Sequence, residues 1–350
     1  MIAEGRIVIE IARDGVVQLT SNRGADVSRL LVGREPAEVL ALLPKVFSLC
    51  GHAHVAAARR AMLGAEQGQT DRTDILLVLA ETAREHLLRI LTGWRVNGTV
   101  AAIPPAPVMA LVGDMQAVVG EATAQDVQSA ALATLLKDHV LGVDPAEFLT
   151  LRTVDDFAGW MAGSDAAAPA YLSVVAERNW QALGAVPVQF LPDLPEAALA
   201  ARLAEPEFSL RPDWKGHPHE TGPLARQSGH PLIAALTDVY GAGLMTRLVA
   251  RLIELATIPV QITDLQSPIH GTQGQGVVET ARGRLIHCAR MEASKVASYS
   301  ILAPTEWNFH PDGVAVQALR SLAPSTDIVA QANKVIEAID PCVAFEVRAA

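Results

Sequence analysis

The sequence has few cysteines and few aromatic residues. Only 3 of its 350 residues are cysteine, and aromatic residues make up 4% of the chain. The cysteines lie far apart, at positions 50, 288 and 342. An odd, widely spaced set does not form a disulfide framework. It suits a reducing compartment, where thiols act as ligands, nucleophiles or core residues. We therefore expect a cytoplasmic protein.

Features of several other protein classes are also absent. Lys and Arg (28) are outnumbered by Asp and Glu (38), and they form no dense stripe that would bind nucleic acid. No apolar run reaches the roughly 18 residues that a membrane helix requires. The first residues, MIAEGRIVIE, lack the layout of a signal peptide. The glycines of GTQGQG (271–276) precede a strand pattern, so a turn is favoured over a phosphate-binding loop. We expect neither nucleic-acid binding nor membrane insertion.

Half of the residues are hydrophobic, and many of these are alanine or leucine at helical spacing. The pattern predicts an α+β fold that is mainly helical, in a single domain over residues 1–350. Two β-rich runs flank Asp14 and Gly15, which predicts a hairpin over 6–20. Further along we expect a long helix over 232–257, turns at 281–283 and 292–295 of a β-rich region, and late helices near 313–322 and 326–339.

The segment before the first cysteine predicts a helix that begins at Pro36, because proline is favoured at the first helical position. Pro44 should kink or end this helix. Cys50 and Gly51 would then lie near the start of the next helix, where the helix dipole favours a negatively charged thiolate. A core role for Cys50 stays open, since free cysteine is among the most buried residue types.

Two histidines follow Cys50 at short spacing, His52 and His54. A Cys-x-His-x-His run is a weak metal signal, because positions two apart on a helix do not share a face. Cys288 lies in an alternating strand pattern, where core packing is the usual role. On spacing alone, both ligand roles and packing roles stay open for the first cysteine and the two histidines.

Six segments together resemble the catalytic large subunits of nickel–iron hydrogenases. The two cysteine segments are similar to the R-x-C-G-x-C and D-P-C-x-x-C-x-x-H motifs of that family. The others are similar to its E-A-P-R-G, A-P-T-x-W-N-F and G-P-L-A-R segments and to the stretch before the first motif. All occur in the family's order. The six segments are SLCGHA (48–53), DPCVAFEVR (340–348), ETARGRLIH (279–287), ASYSILAPTEWNFHP (297–311), KGHPHETGPLARQ (215–227) and SNRGADVSRLLVGREP (21–36).

The resemblance implies the hydrogenase large-subunit-like fold, which has a central helical bundle and β-rich margins and brings both chain ends together. Cys50 and Cys342 would then converge on one site. They match the terminal nickel ligands, whereas Ala53 and Phe345 stand where two cysteines would bridge nickel and iron. Neither side chain can bridge two metals, so we expect no nickel, no hydrogen turnover and no enzyme activity. Further departures are Ser48, Ala57 and Arg348, in place of one arginine and two histidines.

These departures resemble the HupK/HoxV family of hydrogenase maturation proteins. That resemblance implies an assembly scaffold that transiently holds an iron dicyanide–carbonyl unit on Cys50 and Cys342. It also implies three partners, namely a HypC-type chaperone, a HypD-type iron-loading protein and a hydrogenase large subunit.

The resemblance also suggests roles for residues around the two cysteines. Arg282, Asp340 and Glu279 would surround the metal ligands, and Arg282 would donate a hydrogen bond to a cyanide nitrogen. His52 and His54 would supply an additional ligand or gate the transfer. For Glu279 and for His287, which also matches the family pattern, salt-bridge or packing roles are equally consistent.

Two other functions stay open. The chain could be a metal-free mimic of the large subunit that docks maturation chaperones. It could instead be a divergent hydrogenase or a complex I-like redox subunit. The retained cysteines argue against the complex I-like function, and the missing bridging cysteines argue against hydrogenase activity.

Overall fold

The structure is a computed structural model in which the chain divides into two compact units. The first comprises Met1–Val78, Val188–Gly222 and Ser267–Ala350, and the second comprises Leu79–Pro187 and Pro223–Gln266. The single domain over residues 1–350 stays a prediction. Expectations for residues 1–4 and 22–26 lie outside the described residues, which are 5–12, 14–21, 27–64, 69–96, 99–100, 106, 122–203, 205 and 207–349.

Helical residues predominate, which confirms the mainly helical α+β class. The helices are α1 (Pro36–Val46), α2 (Gly51–Leu63), α3 (Gln69–Gly93), α4 (Ala122–Leu135), α5 (Pro145–Phe148), α6 (Val154–Ala162), α7 (Ala167–Glu177), α8 (Glu196–Leu203), α9 (Pro223–Gln227), α10 (Pro231–Tyr240), α11 (Leu244–Asp264), α12 (Pro304–Asn308), α13 (Val314–Arg320) and α14 (Ile328–Ile339). A 3-10 helix spans Val27–Leu30, and a π-helical stretch spans Leu136–Leu141. The strands are β1 (Arg6–Ile11), β2 (Val17–Ser21), β3 (Arg95–Val96), β4 (Thr99–Val100), β5 (Ile269–Thr272), β6 (Gln275–Thr280), β7 (Gly283–Glu292), β8 (Lys295–Leu302) and β9 (Ala344–Ala349).

The first unit contains a three-stranded sheet in the order β2-β1-β9. The predicted hairpin is confirmed, since β1 and β2 are antiparallel and Gly15 has φ 83° in their connection. Strand β9 pairs with β1 in parallel, with Arg6 opposite Ala344. Sequence analysis did not predict β9, because parallel pairing joins segments from opposite ends of the chain and leaves no local turn signal.

The predicted β-rich region forms a four-stranded antiparallel sheet in the order β5-β6-β7-β8. Both predicted turns are confirmed, because β7 begins at Gly283 and β8 begins at Lys295. Ala293 and Ser294 connect β7 to β8, and both have positive φ, at 48° and 64°. Positive φ at both central residues is the geometry that matches the twist of a hairpin.

Helix α2 packs directly on this sheet, because both surfaces carry small residues at the contact. Ala53, Ala56 and Ala57 are almost completely buried on the helix. A Cβ atom at Gly276 of β6 would overlap the carbonyl oxygen of Ala57. The absence of that atom lets the helix backbone approach the strand closely.

A second hydrophobic cluster includes residues of the same sheet. Ile286 and Leu302, from β7 and β8, pack in this cluster with Leu191, Phe208 and Trp307. Alternation along β7 separates Ile286 from its neighbour Leu285, which belongs to the cluster formed with α2. The sheet is therefore buried on two sides within the first unit.

The two helices that flank the first cysteine begin as predicted. Pro36 occupies the first position of α1, and α2 begins at Gly51 with Cys50 as its N-cap. Pro44 does not stop α1 at once, since the helix continues to Val46. The backbone N–H of Phe47 donates to the Leu43 carbonyl at 2.9 Å, which closes the last turn.

In the second unit, the prediction of one long helix over 232–257 is wrong. The structure has two helices there, α10 and α11, which are separated at Gly241. Gly241 has φ 63°, and a Cβ atom at Gly243 would lie 2.8 Å from the carbonyl oxygen of Gln181. The break follows from a left-handed glycine and a close backbone approach, neither of which appears in the hydrophobic periodicity. No helix among the described residues is long and apolar enough to cross a membrane.

Candidate functional site

Cys50 lies at the start of α2, in the first unit. Its backbone has φ −134°, outside the helical region, and its carbonyl accepts a hydrogen bond of 3.0 Å from the N–H of His54. The half-buried side chain packs against a hydrophobic cluster that includes Ala53, Ala57 and Ala303. The predicted position at a helix N-terminus is therefore confirmed.

Cys342 follows α14 and is held by the side chain of Thr305. The Thr305 hydroxyl donates to Cys342 Sγ at 2.9 Å and accepts from the Cys342 backbone N–H at 3.2 Å. One hydroxyl can make both bonds, since it has one hydrogen and two lone pairs. Sequence reasoning missed this role, although Thr305 lies in the APTEWNF stretch that carried part of the resemblance.

One short segment adjoins both cysteines. Ala303, immediately before α12, belongs to the cluster against which Cys50 packs. Thr305, in the first turn of α12, holds Cys342. The structure therefore relates two thiols from opposite ends of the sequence through residues 303–305, within the first unit.

Arg282 and Asp340 form a buried ion pair, with Arg282 Nε and Asp340 Oδ1 3.4 Å apart. Their side chains are 7% and 2% exposed, so the charges have little access to water. Asp340 caps the end of α14 in the left-handed region, at φ 66°. A non-glycine residue in this region is strained and is held there by its surroundings. The pair thus fixes the chain two residues before Cys342.

The turn that carries Arg282 is braced from three directions. The Thr280 hydroxyl accepts from the Arg282 N–H at 3.2 Å and donates to the Gly283 carbonyl at 2.8 Å. The Asn308 side chain donates to the Arg282 carbonyl at 3.5 Å. Gly222 approaches the same carbonyl so closely that an added Cβ would lie 3.3 Å away. These contacts hold the backbone from which the Arg282 side chain extends.

His54 is buried and faces other ring side chains. Its Nδ1 lies 2.9 Å from His287 Nε2, and its ring stacks on Phe47 with centroids 3.6 Å apart. His287 Nδ1 lies 2.7 Å from the Tyr299 hydroxyl. Burial lowers the pKa of His287 to about 3 and raises the pKa of Tyr299. Both groups are therefore neutral at physiological pH. His52, in the first turn of α2, is half-buried.

Glu279 forms an ion pair in the four-stranded sheet, and Cys288 packs in a hydrophobic cluster. Glu279 accepts a hydrogen bond of 2.6 Å from Arg284 Nε, directly across the β6–β7 ladder, which is the salt-bridge alternative. Cys288 packs against the cluster that contains Leu302 and Trp307. Burial, together with the Glu196 carboxylate, raises the pKa of the Cys288 thiol to about 12. Cys288 is thus a protonated packing residue, as sequence analysis expected.

The protein ligands available for a metal are limited. Among the described residues there is no group of three or more His, Cys, Asp or Glu side chains that could hold a metal ion. Within the described part of the chain, neither Cys50 nor Cys342 therefore belongs to such a group.

Comparisons with known proteins show which family the chain resembles. Residues 232–347 match the family model described as nickel-dependent hydrogenase. The chain is 31% identical over 363 residues to the hydrogenase expression/formation protein HupV of Azotobacter chroococcum, with 98% of each chain covered. It is also 31% identical to HoxV of Cupriavidus necator, with 91% of this chain and 89% of that protein covered. The chain belongs to the HupK/HoxV family of hydrogenase expression/formation proteins.

Solved structures confirm the predicted fold of this family member. The Ni-Fe-Se hydrogenase of D. vulgaris Hildenborough matches with a TM-score of 0.63 at 15% identity, over 93% of this chain and 92% of that chain. The enzyme from Desulfomicrobium baculatum matches with a TM-score of 0.55 at 16% identity, over 94% of each chain. At such identities the likeness establishes the fold alone. The chain therefore has a hydrogenase large-subunit-like fold.

The positions at which this family member departs from the hydrogenase motifs are occupied by packed or paired residues. Ala53 is 1% exposed in the α2 cluster. Phe345 lies in β9 opposite Ile7, and Arg348 pairs with Glu346 at 2.7 Å in the same strand. The segment after Cys342 is thus a strand that pairs with β1.

Proposed function

We propose that this chain is a hydrogenase maturation scaffold that carries an iron dicyanide–carbonyl unit on Cys50 and Cys342. The unit is cargo, which the protein receives and then passes to a hydrogenase large subunit. The coarser function, hydrogenase expression or formation, is that of the relatives. The finer role is argued from the two thiols.

The arrangement of Cys342 carries this proposal. In its bond with the Thr305 hydroxyl the sulfur is the acceptor, at 2.9 Å. A metal-binding thiolate has the same electron-donating role. Thr305 also holds the backbone N–H of Cys342, so the thiol is positioned before any cargo arrives. A cysteine that only fills the core does not need one side chain to hold both its sulfur and its backbone N–H.

The chemistry of the cargo suits a site with two protein ligands. Iron that arrives with two cyanides and one carbonyl has three of its six positions filled, and two thiolates would fill two more. Soft thiolates suit such iron. The guanidinium of Arg282, buried beside Asp340, would donate to a cyanide nitrogen. Fewer protein ligands also favour release, which a carrier requires. No bridging thiolate is available for nickel, so we expect the cargo to contain none.

The proposed partners follow from the same role. We propose that the chain receives its cargo from a HypD-type iron-loading protein, assisted by a HypC-type chaperone. It would then deliver the cargo to a hydrogenase large subunit, in the cytoplasm. We expect no hydrogen turnover, since a carrier needs no catalytic cycle of its own.

Infrared spectroscopy tests the proposal. The protein is purified without oxygen from cells with an intact maturation pathway, and cyanide and carbonyl stretching bands are recorded together with the iron content. We expect bands in the native protein and in the control Cys288→Ala, because Cys288 lies in β7 with its thiol buried. We expect no bands in Cys50→Ala or Cys342→Ala.

Two results would contradict the scaffold. Bands that persist in both cysteine variants would show that the unit binds elsewhere. Native protein without bands and without iron would favour the metal-free mimic that docks chaperones.

A further inference from the structure

A hydrogen-bonded chain of three buried rings joins the start of α2 to the four-stranded sheet. Tyr299 of β8 contacts His287 of β7, and His287 contacts His54 of α2, at 2.7 Å and 2.9 Å. The three residues are 6%, 0% and 2% exposed. None of them is a cysteine, and the two hydrogen bonds that join them do not involve Thr305. The two-thiolate site alone therefore does not explain why they are hydrogen-bonded together.

The Tyr299 hydroxyl determines the direction of these bonds. Among the described residues, its only hydrogen bond is the one with His287. A buried hydroxyl whose hydrogen has no acceptor is strongly disfavoured, so Tyr299 donates to His287 Nδ1. A neutral imidazole carries one N–H. His287 therefore has its hydrogen on Nε2 and donates to His54, whose Nδ1 is an acceptor.

The ring of His54 is directed to one side of α2 and Cys50 to another. His54 stacks on Phe47, which packs in the same cluster as Ala58 and Ala61 of α2. Cys50 packs instead against the cluster that contains Ala53 and Ala57. The link between His54 and Cys50 runs through the backbone, where the His54 N–H donates to the Cys50 carbonyl at 3.0 Å.

From this geometry we infer that His54 is a positioning residue for Cys50 and not a metal ligand. The Tyr299–His287–His54 chain fixes the first turn of α2 against the sheet and thereby sets the direction of the Cys50 thiol. Phe47 closes the other side of the His54 ring. The inference rests on the proposed function, in which Cys50 is a ligand, and it assigns Tyr299 and His287 to the same positioning role.

Substitution of His54 by asparagine separates a positioning role from a metal-ligand role. In His54→Asn the side-chain oxygen stands near the place of Nδ1 and can accept from His287 Nε2, but no imidazole remains. His54→Ala removes both the hydrogen-bond acceptor and the imidazole. Tyr299→Phe removes only the hydroxyl that begins the chain. The matched control is Tyr171→Phe, which removes the hydroxyl of a buried tyrosine in the second unit.

The first measurement is the alkylation rate of Cys50 by iodoacetamide in iron-free protein, with Cys288→Ser and Cys342→Ala leaving Cys50 as the only thiol. The net contribution of one hydrogen bond corresponds to a change of roughly twofold to tenfold. We expect roughly threefold to tenfold changes in His54→Ala and Tyr299→Phe. We expect wild-type rates in His54→Asn and Tyr171→Phe. Equal rates in all variants would overturn the inference.

The second measurement is iron content and infrared bands in the full set of cysteines. A positioning role predicts that His54→Asn retains the bands and that His54→Ala and Tyr299→Phe weaken them. A ligand role predicts equal loss in His54→Asn and His54→Ala with no effect of Tyr299→Phe, and this outcome would overturn the inference. If no variant, wild type included, carries iron, the proposed function fails while the alkylation rates still decide the role of His54.

Discussion

At the scale of single residues, the candidate site depends on side chains that hold the cysteines. Thr305 makes two hydrogen bonds to Cys342, one to the sulfur and one to the backbone. Arg282 and Asp340 neutralise each other in a place with little access to water. Removing one partner of such a pair leaves a buried charge, which typically costs about 3–5 kcal/mol. The surroundings of the Cys342 thiol are therefore fixed by specific contacts.

A double-mutant cycle tests the Thr305 contact. Thr305→Val keeps the shape of the side chain but leaves the Cys342 N–H without its acceptor, so we expect the free energy of unfolding to fall by about 1–3 kcal/mol. In a Cys342→Ala background the sulfur is already gone, and the same substitution should cost roughly 0.5–1.5 kcal/mol less. Urea denaturation measures both values. Strictly additive costs would show that the sulfur does not contribute to the contact.

At the scale of secondary-structure elements, the position of α2 depends on small residues. The helix that begins at Cys50 presents Ala53, Ala56 and Ala57 to the sheet. Its backbone approaches β6 at Gly276, where a side chain would overlap the Ala57 carbonyl. A rigid element of this kind can hold a ligand more accurately than a loop. The alanine that replaces a bridging cysteine is thus part of the surface that seats the helix.

Gly276→Ala tests this seating. The added methyl group meets backbone atoms, which cannot rotate away, so we expect destabilisation by about 1–3 kcal/mol or more and a changed alkylation rate of Cys50.

The matched control for this substitution is Gly159→Ala. Gly159 lies inside α6, and an added Cβ there meets nothing within 4 Å. Alanine is the better helix former, so this variant should gain about 0.5–1 kcal/mol. Thermal unfolding of the two variants gives opposite signs if the interpretation holds. A Gly276→Ala variant as stable as wild type would show that α2 can shift on the sheet.

At the scale of the whole molecule, buried neutral histidines make stability depend on pH. Burial lowers the pKa of His287 to about 3, and burial also lowers the pKa of His86. In the unfolded chain a histidine titrates near 6.5. Between these values the unfolded state binds more protons than the folded state. Stability therefore rises with pH through this range, and it is lost as the pH falls below 6.5.

The expected loss at pH 5 is about 2 kcal/mol for His287, from 1.4 kcal/mol per unit of pKa difference. Urea midpoints recorded at pH 7.5 and pH 5 measure it. His287→Gln should reduce the difference between the two pH values, because glutamine does not titrate. An unchanged difference in this variant would mean that the folded protein accommodates a protonated His287.

Local sequence signals and long-range packing determined different parts of this protein. The Asp14–Gly15 hairpin, the helix start at Pro36 and the position of Cys50 at the start of α2 follow from short motifs, because turns and caps depend on neighbouring residues. The family resemblance supplied the fold in the same way, through contiguous segments. The break near Gly241 was not predicted, since it depends on the left-handed conformation of Gly241 and on the close approach of Gly243 to Gln181.

The contacts that make up the candidate site were decided only by the tertiary structure. Thr305 and Cys342 are 37 residues apart, and His54 and His287 are 233 apart. No periodicity relates such residues, because their contact depends on how helices and strands pack and not on local propensity. The sequence alone identified the two cysteines and the chemistry that thiols can perform. Packing decided which hydroxyl holds one of them and which buried rings hold the helix that begins at the other.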